Sequence, residues 1–174
     1  MILIHNSVMK SLFILFGLFV SALFSHIEKG QAQQAVTPPP QMVLPIDCEI
    51  GWNCWIANYV DHDTTDQAKD YTCSNQTYDG HKGTDFIIRN YHDMQAGVLV
   101  RAASDGLVVG AREDMKDVDY RTQPREKIAK QACGNGVRID HGQGWFTQYC
   151  HLKKNSVEVQ KGDKVKASDV IGMV

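Results

Sequence analysis

The chain has 174 residues, a formal net charge of -2 and 22% charged residues. This length is enough for one domain of ordinary size with a buried core. The nearly balanced charge gives no basic field for nucleic acid, so we expect no nucleic-acid-binding function.

Residues 1–32 have the pattern of a secretory leader. Lys10 supplies the positive charge, and residues 11–24 form an apolar run of 14 residues. A membrane-spanning helix needs about 20 such residues, which makes an uncleaved anchor the less favoured alternative. Gly30 and Ala32 place small residues where a leader peptidase cleaves. We therefore predict an exported protein, periplasmic or extracellular, that leaves the membrane after cleavage.

Residues 33–46 are rich in Gln and Pro, including the run 38–40. Such a composition is typical of a linker or extended arm without a core of its own. The remaining residues, 47–174, are predicted to form a single domain.

Five cysteines follow the predicted leader. Export together with this number favours disulfides formed in an oxidising compartment. Cys133 and Cys150 flank a predicted hairpin whose turn is at 142–144, so we expect these two to be bridged. Several pairings remain open for the other three, one of which would stay a free thiol: Cys48, Cys54 and Cys73.

Helical periodicity is nearly absent after the leader, and short apolar runs alternate with turn residues. The fold class predicted from this pattern is mainly β, with antiparallel pairing. We interpret the acidic stretch 61–70 as a solvated loop in preference to a calcium site. The predicted strands begin at 86, run over 97–102 and return over 107–111 after a turn at 104–106. Further strands form a hairpin over 136–151 and lie near 156–160 and 169–173, and a short helix is predicted over 124–132.

One stretch around a predicted strand start places His81 and Asp85 four residues apart. In an extended strand this spacing is about 13 Å, whereas two ligands of one zinc ion must each come within about 2 Å of it. Gly80 and Gly83 would allow the chain to bend between them. The alternative is that both are polar turn residues, one bonding the other.

The strand that ends at His151 alternates in polarity. Its period predicts that Trp145, Thr147, Tyr149 and His151 share one face of the sheet. Taken alone, His151 would more often be a structural histidine than a catalytic one.

Three segments together carry a resemblance: G-H-x-G-T-D-F at residues 80–86, G-N-G-V-x-I-x-H-x-x-G-W-x-T-x-Y-x-H-L at 134–152 and V-x-x-G-D-x-V at 159–165. In this order they are similar to the lysostaphin/LytM-type zinc endopeptidases of peptidoglycan, over about residues 47–174. The resemblance implies a β-sandwich of the duplicated hybrid motif type, with the active site in a groove on one sheet.

The same resemblance implies roles for individual residues. His81 and Asp85 take the positions of zinc ligands, and His151 that of the histidine that serves proton transfer or the developing oxyanion. His141 also matches a family position, to which we assign no role. Zinc with an open coordination position would activate water and polarise a peptidoglycan amide bond.

The family completes its site with an H-x-H motif, which supplies the third zinc ligand, and this sequence contains none. We expect that motif beyond residue 174, so the predicted domain is C-terminally incomplete. Replacement of the missing ligand by His141 or His62 is a less favoured alternative. The alternative function is a non-catalytic LytM-like protein that binds and activates a peptidoglycan amidase. A biotinyl- or lipoyl-type carrier domain is disfavoured because no hairpin lysine of that kind follows the leader.

Overall fold

The computed structural model describes residues 2–6 and 37–174. Strands dominate these residues, and helices are few and short, which confirms the predicted mainly β fold. The strands of the described part are β1 (Ile2–Asn6), β2 (Cys54–Asn58), β3 (Gly83–Ile88), β4 (Leu99–Arg101), β5 (Gly106–Arg112), β6 (Asn135–Asp140), β7 (Trp145–Leu152), β8 (Lys164–Val165) and β9 (Val170–Met173).

Seven of these strands form one sheet in the order β2-β3-β1-β7-β6-β5-β8, and β4 and β9 form a second, two-stranded sheet. The strand neighbours in both sheets pair antiparallel. Because β1 is antiparallel to both β3 and β7, those two strands run in the same direction with one strand between them.

Helical segments lie in the connections. Helix α1 (Tyr91–Ala96) follows β3, and helix α2 (Arg125–Lys130) follows a 3-10 turn at Tyr120–Thr122. The sequence predicted α2 but not α1, whose N-cap is formed by Asn90 accepting a hydrogen bond from the backbone N–H of Asp93. A six-residue helix has too few apolar positions to show a helical period, so the capping residue was its only sequence signal.

The core lies between the two sheets. Side chains of β5, β6 and β7 that alternate along their strands meet those of β4 and β9, as expected where one face of each strand is buried. Phe86 of β3 packs against the edge of this core. The buried members are Val100, Ala102, Ala103, Val108, Val137, Ile139, Tyr149, Leu152, Val165 and Ile171.

Two disulfides are present. The predicted Cys133–Cys150 bridge is confirmed, and it joins the loop before β6 to β7. The second bridge links Cys48 to Cys54. Cys73 is the free thiol of the described residues and is exposed.

Two predictions about strands were wrong, one on pairing and one on the existence of a strand. β4 does not form a hairpin with β5, because its backbone pairs with β9 in the smaller sheet. Residues 156–160 are not a strand, although Val157 and Val159 pack against the core. Apolar and polar residues alternate here because the segment is extended and buries one face. Such burial does not require hydrogen bonds to a neighbouring strand.

The predicted leader lies mostly outside the described residues, since 7–36 are not among them. The final residues of the predicted linker run beside β4. The backbone N–H of Val43 donates to the Ala103 carbonyl, and Ile46 is buried. No helix within residues 2–6 and 37–174 is both long and apolar enough to cross a membrane. The domain boundaries stay predictions.

Candidate metal site

His81 lies just before β3, in a turn and not in the strand itself. Gly80 adopts φ +72°, a left-handed conformation that glycine tolerates, and the ladder begins only at Gly83. Gly80 turns the chain just before His81, and His81 Nε2 comes within 3.4 Å of Asp85 Oδ1. The His81 side chain is buried, with 3% of the residue exposed.

A backbone contact fixes the state of the His81 ring. Its Nδ1 lies 2.7 Å from the carbonyl oxygen of Tyr59, which can only accept a hydrogen bond. Nδ1 therefore carries a proton, and the neutral ring has its lone pair on Nε2. Nε2 is buried and has no hydrogen-bond partner within the described structure. The oxygen that it faces is Oδ1 of the Asp85 carboxylate.

This arrangement fits a zinc ion. Two ligand atoms about 2.1 Å from zinc at a tetrahedral angle are about 3.4 Å apart, and Nε2 and Oδ1 are separated by 3.4 Å. Both atoms are acceptors, and a cation between them would satisfy both. An imidazole nitrogen with one carboxylate oxygen is a common pair of zinc ligands.

The second oxygen of the Asp85 carboxylate is also held. Asn58 Nδ2 donates to Asp85 Oδ2 at 3.0 Å. This leaves Oδ1 as the oxygen that faces His81. The sequence analysis missed Asn58 because it lies 27 residues before Asp85 in the chain and becomes its neighbour only through the pairing of β2 with β3.

The acidic loop after β2 supports the Tyr59 carbonyl. Tyr59 O accepts a second hydrogen bond, from the Thr77 hydroxyl at 2.8 Å, and Tyr59 N donates to Gln76 O. Gly80, which starts the turn to His81, donates its N–H to Asp61 Oδ2 at 2.9 Å. Residues 59–80 therefore fold back on themselves and end at the buried ligand.

Asp70 is the centre of this loop and the exception to the predicted solvated stretch 61–70, whose other residues are exposed or half-buried. The residue is buried, and its carboxylate accepts hydrogen bonds from the backbone and hydroxyl of Thr72, from the backbone and hydroxyl of Ser74, and from the backbone of Gln76. The hydroxyls of Ser74 and then Thr72 contribute most to holding the pKa of Asp70 well below its usual range. Its carboxylate is thus saturated by the chain itself, as a loop-forming residue would be.

Tyr78 covers one side of the site. Its ring centroid lies 4.3 Å from that of His81, with the planes tilted by 30°. Partial burial, and then the charge of Asp85, raise the pKa of the Tyr78 phenol. About half of Tyr78 remains exposed, so an apolar ring borders the pair of candidate ligands on the solvent side.

A β-bulge in β7 sets the position of His151. The ladder between β6 and β7 pairs Gly136 with Cys150 and Asn135 with Leu152, so His151 has no partner in β6. Its backbone is at φ +63°, and it is exposed where Thr147 and Tyr149 are fully buried. The prediction that His151 shares their face was therefore wrong, because a bulge interrupts the two-residue period.

Neighbouring groups adjust the His151 ring. Although His151 is exposed, partial shielding of its ring from water is the largest of the causes that lower its pKa, and the nearby Asp85 carboxylate opposes them by raising it. The backbone N–H of His151 donates to Cys133 O at 2.8 Å, next to the Cys133–Cys150 disulfide. The bulge is thus fixed to the loop before β6 by a covalent bridge and a hydrogen bond.

The other histidines of residues 37–174 are engaged elsewhere or exposed. His141 Nδ1 lies 2.7 Å from Asp105 O, and its Nε2 lies 2.8 Å from the Thr147 hydroxyl, which in turn contacts the Tyr149 hydroxyl. Both ring nitrogens of His141 are used, so it supports the core and has no free lone pair for a metal. His62 and His92 are exposed.

The structure thus brings two predicted residues, His81 and Asp85, into ligand geometry, and places His151 within electrostatic reach of Asp85. Among the described residues, no group of three or more His, Cys, Asp or Glu side chains could hold a metal ion. β1 lies between β3, which carries Asp85, and β7, which carries His151.

Comparisons with known proteins show the family of the chain. Residues 79–174 match the model of a family described as peptidase family M23, a range that includes all three predicted site residues. A curated protein of Buchnera aphidicola subsp. Baizongia pistaciae, named an uncharacterized metalloprotease, is 33% identical over 93 residues. That alignment covers 53% of this chain and 18% of the relative, so the chain spans less than a fifth of the relative's length. No solved structure matches.

Proposed function

Because the chain belongs to peptidase family M23, we propose that the protein is an exported zinc metalloendopeptidase that hydrolyses amide bonds in the peptide stems or cross-bridges of peptidoglycan. One observation carries the metal part of this proposal. The buried Nε2 of His81, which has no hydrogen-bond partner among the described residues, faces Asp85 Oδ1 at 3.4 Å.

The chain's own residues have separable tasks in this reaction. When bound, zinc would activate a water molecule and polarise the scissile carbonyl. His81 and Asp85 hold the metal, and Asn58 and the Tyr59 carbonyl orient these two ligands. Shielding from water lowers the pKa of His151 and so favours its neutral ring, which can accept a proton and return it to the leaving amine.

We propose that the third protein ligand comes from residues beyond 174, in an H-x-H motif like that of the family this sequence resembles. The position between β3 and β7 accepts a strand, since β1 pairs there with both. After cleavage of the predicted leader, which contains β1, another segment in this position would lie beside Asp85 and beside the strand that ends near His151. It could therefore present a side chain to both.

The cell-wall substrate and export rest on the sequence. The predicted leader would carry the protein out of the cytoplasm, to the compartment where peptidoglycan lies. The two disulfides fit an oxidising compartment. The nearly balanced charge also favours a substrate other than nucleic acid.

The test is to express the mature protein with its natural continuation past residue 174, measure bound zinc by mass spectrometry, and incubate it with purified peptidoglycan. We expect one zinc per chain and new amine termini in the muropeptides. His81→Ala should lose both, whereas His92→Ala, a matched change at an exposed histidine, should lose neither.

Two other outcomes would overturn the proposal in different ways. Bound zinc without cleavage of peptidoglycan would leave a metallopeptidase with another substrate. A continuation without H-x-H, together with no bound zinc, would favour the non-catalytic alternative, which stimulation of a purified peptidoglycan amidase would then test.

A further inference from the structure

The pairing of β2 with β3 contains an irregularity next to the candidate site. Trp55 is opposite Ile87, and Ile56 is opposite Phe86, as in a regular antiparallel ladder. A regular ladder would next place residue 57 opposite Asp85. Asn58 occupies that position instead, so Ala57 is an additional residue without a partner in β3.

The extra residue decides which side chain meets Asp85. A bulge of this type inserts one residue and re-aims the side chains that follow it. With Asn58 opposite Asp85, its amide nitrogen lies 3.0 Å from Oδ2. An alanine in that position would have no hydrogen-bond donor to offer the carboxylate.

The register shift at Ala57 also places the residue that contacts His81, the second candidate ligand. Tyr59 follows Asn58 directly, and its carbonyl oxygen lies 2.7 Å from His81 Nδ1. Two consecutive residues after the bulge therefore hold one candidate ligand each: Asn58 through its side chain, and Tyr59 through its backbone. Hydrogen bonds of this kind orient metal ligands and select the histidine tautomer.

From this arrangement we infer that Asn58 is a positioning residue of the metal site. It holds Oδ2 of Asp85, and only Oδ1 is then directed at the metal beside His81. The bulge at Ala57 puts Asn58 in place. This inference rests on the proposed function, because it supposes that the protein binds zinc at His81 and Asp85.

Zinc affinity tests this role without measuring activity. A chromophoric chelator would compete for zinc with the mature protein carrying its natural continuation. Asn58→Ala should bind zinc about 10- to 100-fold more weakly, the usual loss when a group that orients a metal ligand is removed. Asn75→Ala, a matched change at an exposed asparagine in the loop, should bind as the parent does.

A composition-matched variant tests the bulge. Ala57→Asn combined with Asn58→Ala moves the amide one residue earlier, to the unpaired position. We expect this swap to bind zinc as weakly as Asn58→Ala alone, since the ladder passes over residue 57. The absorption spectrum of the cobalt-loaded swap and of Asn58→Ala should also differ from that of the parent, because a freed carboxylate changes the coordination geometry.

The outcomes separate this inference from the proposed function. Unchanged zinc affinity and cobalt spectrum in a folded Asn58→Ala protein would overturn the role of Asn58 while the parent still binds zinc. Full affinity in the swap would overturn the role of the bulge. If Asn58→Ala does not fold, Asn58→Leu keeps a side chain of similar size without a hydrogen-bond donor, and affinity equal to the parent's would again count against Asn58. A parent that binds no zinc would overturn the proposed function itself, and this inference with it.

Discussion

His81 Nε2 and Asp85 Oδ1 face each other at 3.4 Å, and neither atom brings a hydrogen to the contact while the Tyr59 carbonyl holds the proton on Nδ1. An imidazolium bonded to the carboxylate would normally shorten this distance to about 2.7–2.9 Å. Two acceptors left together in a buried position repel each other. A divalent cation bound between them removes the repulsion.

The first prediction is that zinc stabilises the protein that carries its natural continuation. Ligands that bind only the folded state raise the free energy of unfolding by about 2.7 kcal/mol at 100 times Kd. Scanning calorimetry with and without zinc should show a raised Tm in the parent and in His92→Ala. It should show none in His81→Ala. An equal rise in His81→Ala would mean that zinc binds somewhere else.

The second prediction concerns the proton affinity of His151. Shielding from water lowers its pKa below the ordinary 6.5, and the Asp85 carboxylate opposes this. Asp85→Asn removes the negative charge, so the pKa of His151 should fall further. An NMR titration of the ring in metal-free protein would measure it.

A remote charge provides the control for that titration. Asp66→Asn, at an exposed position in the loop after β2, should leave the His151 midpoint unchanged. A midpoint that rises in Asp85→Asn would contradict the sign argued here, and would mean that the carboxylate does not act on the ring.

Much of this site could be read from the sequence because its signals are local. His81 and Asp85 lie four residues apart, and Gly80, directly before His81, indicates a turn at that point. The Cys133–Cys150 bridge followed from the hairpin between them. In each case the interacting residues are near in sequence, so the turn chemistry alone determines their distance.

The rest of the site depends on which residues a ladder leaves unpaired. Asn58 lies 27 residues from Asp85 in the chain and meets it through a bulge in the β2–β3 pair. A second bulge, in the β6–β7 pair, sets the position of His151. A two-residue period places His151 with Tyr149, on the wrong face. One bulge reverses every later face assignment in a strand, and composition gives no sign of where it lies.

The third prediction is a large effect of the disulfide beside His151. Cys133 and Cys150 are 17 residues apart, and closing a loop of this size stabilises the folded state by about 3 kcal/mol in the chain-entropy description. The double change Cys133→Ala with Cys150→Ala should lower the free energy of unfolding by that order in urea denaturation. Cys73→Ala removes an exposed free thiol and should change it little. Equal effects in both variants would show that the bridge is not formed in solution.

The fourth prediction is a pH dependence that comes from Asp70. Hydrogen bonds from Ser74 and Thr72 hold its pKa below 3.8, the value of an unperturbed aspartate. A carboxyl group whose pKa is lower in the folded state stabilises folding above its unfolded pKa, and this contribution is lost as the pH falls through the folded pKa. Unfolding free energy should therefore decrease below about pH 4.

Asp70→Asn isolates that contribution from those of other carboxylates. The variant keeps the size of the side chain but loses the charge that accepts five hydrogen bonds from Thr72, Ser74 and Gln76. We expect it to be less stable than the parent at pH 7, with a flatter decline between pH 5 and 3. Urea denaturation across this range measures both. Because the loop holds the Tyr59 carbonyl that orients His81, the variant should also bind zinc more weakly. If the free energy of unfolding falls with pH in the same way in parent and variant, and their zinc affinities are equal, Asp70 contributes neither to the pH dependence nor to the metal site.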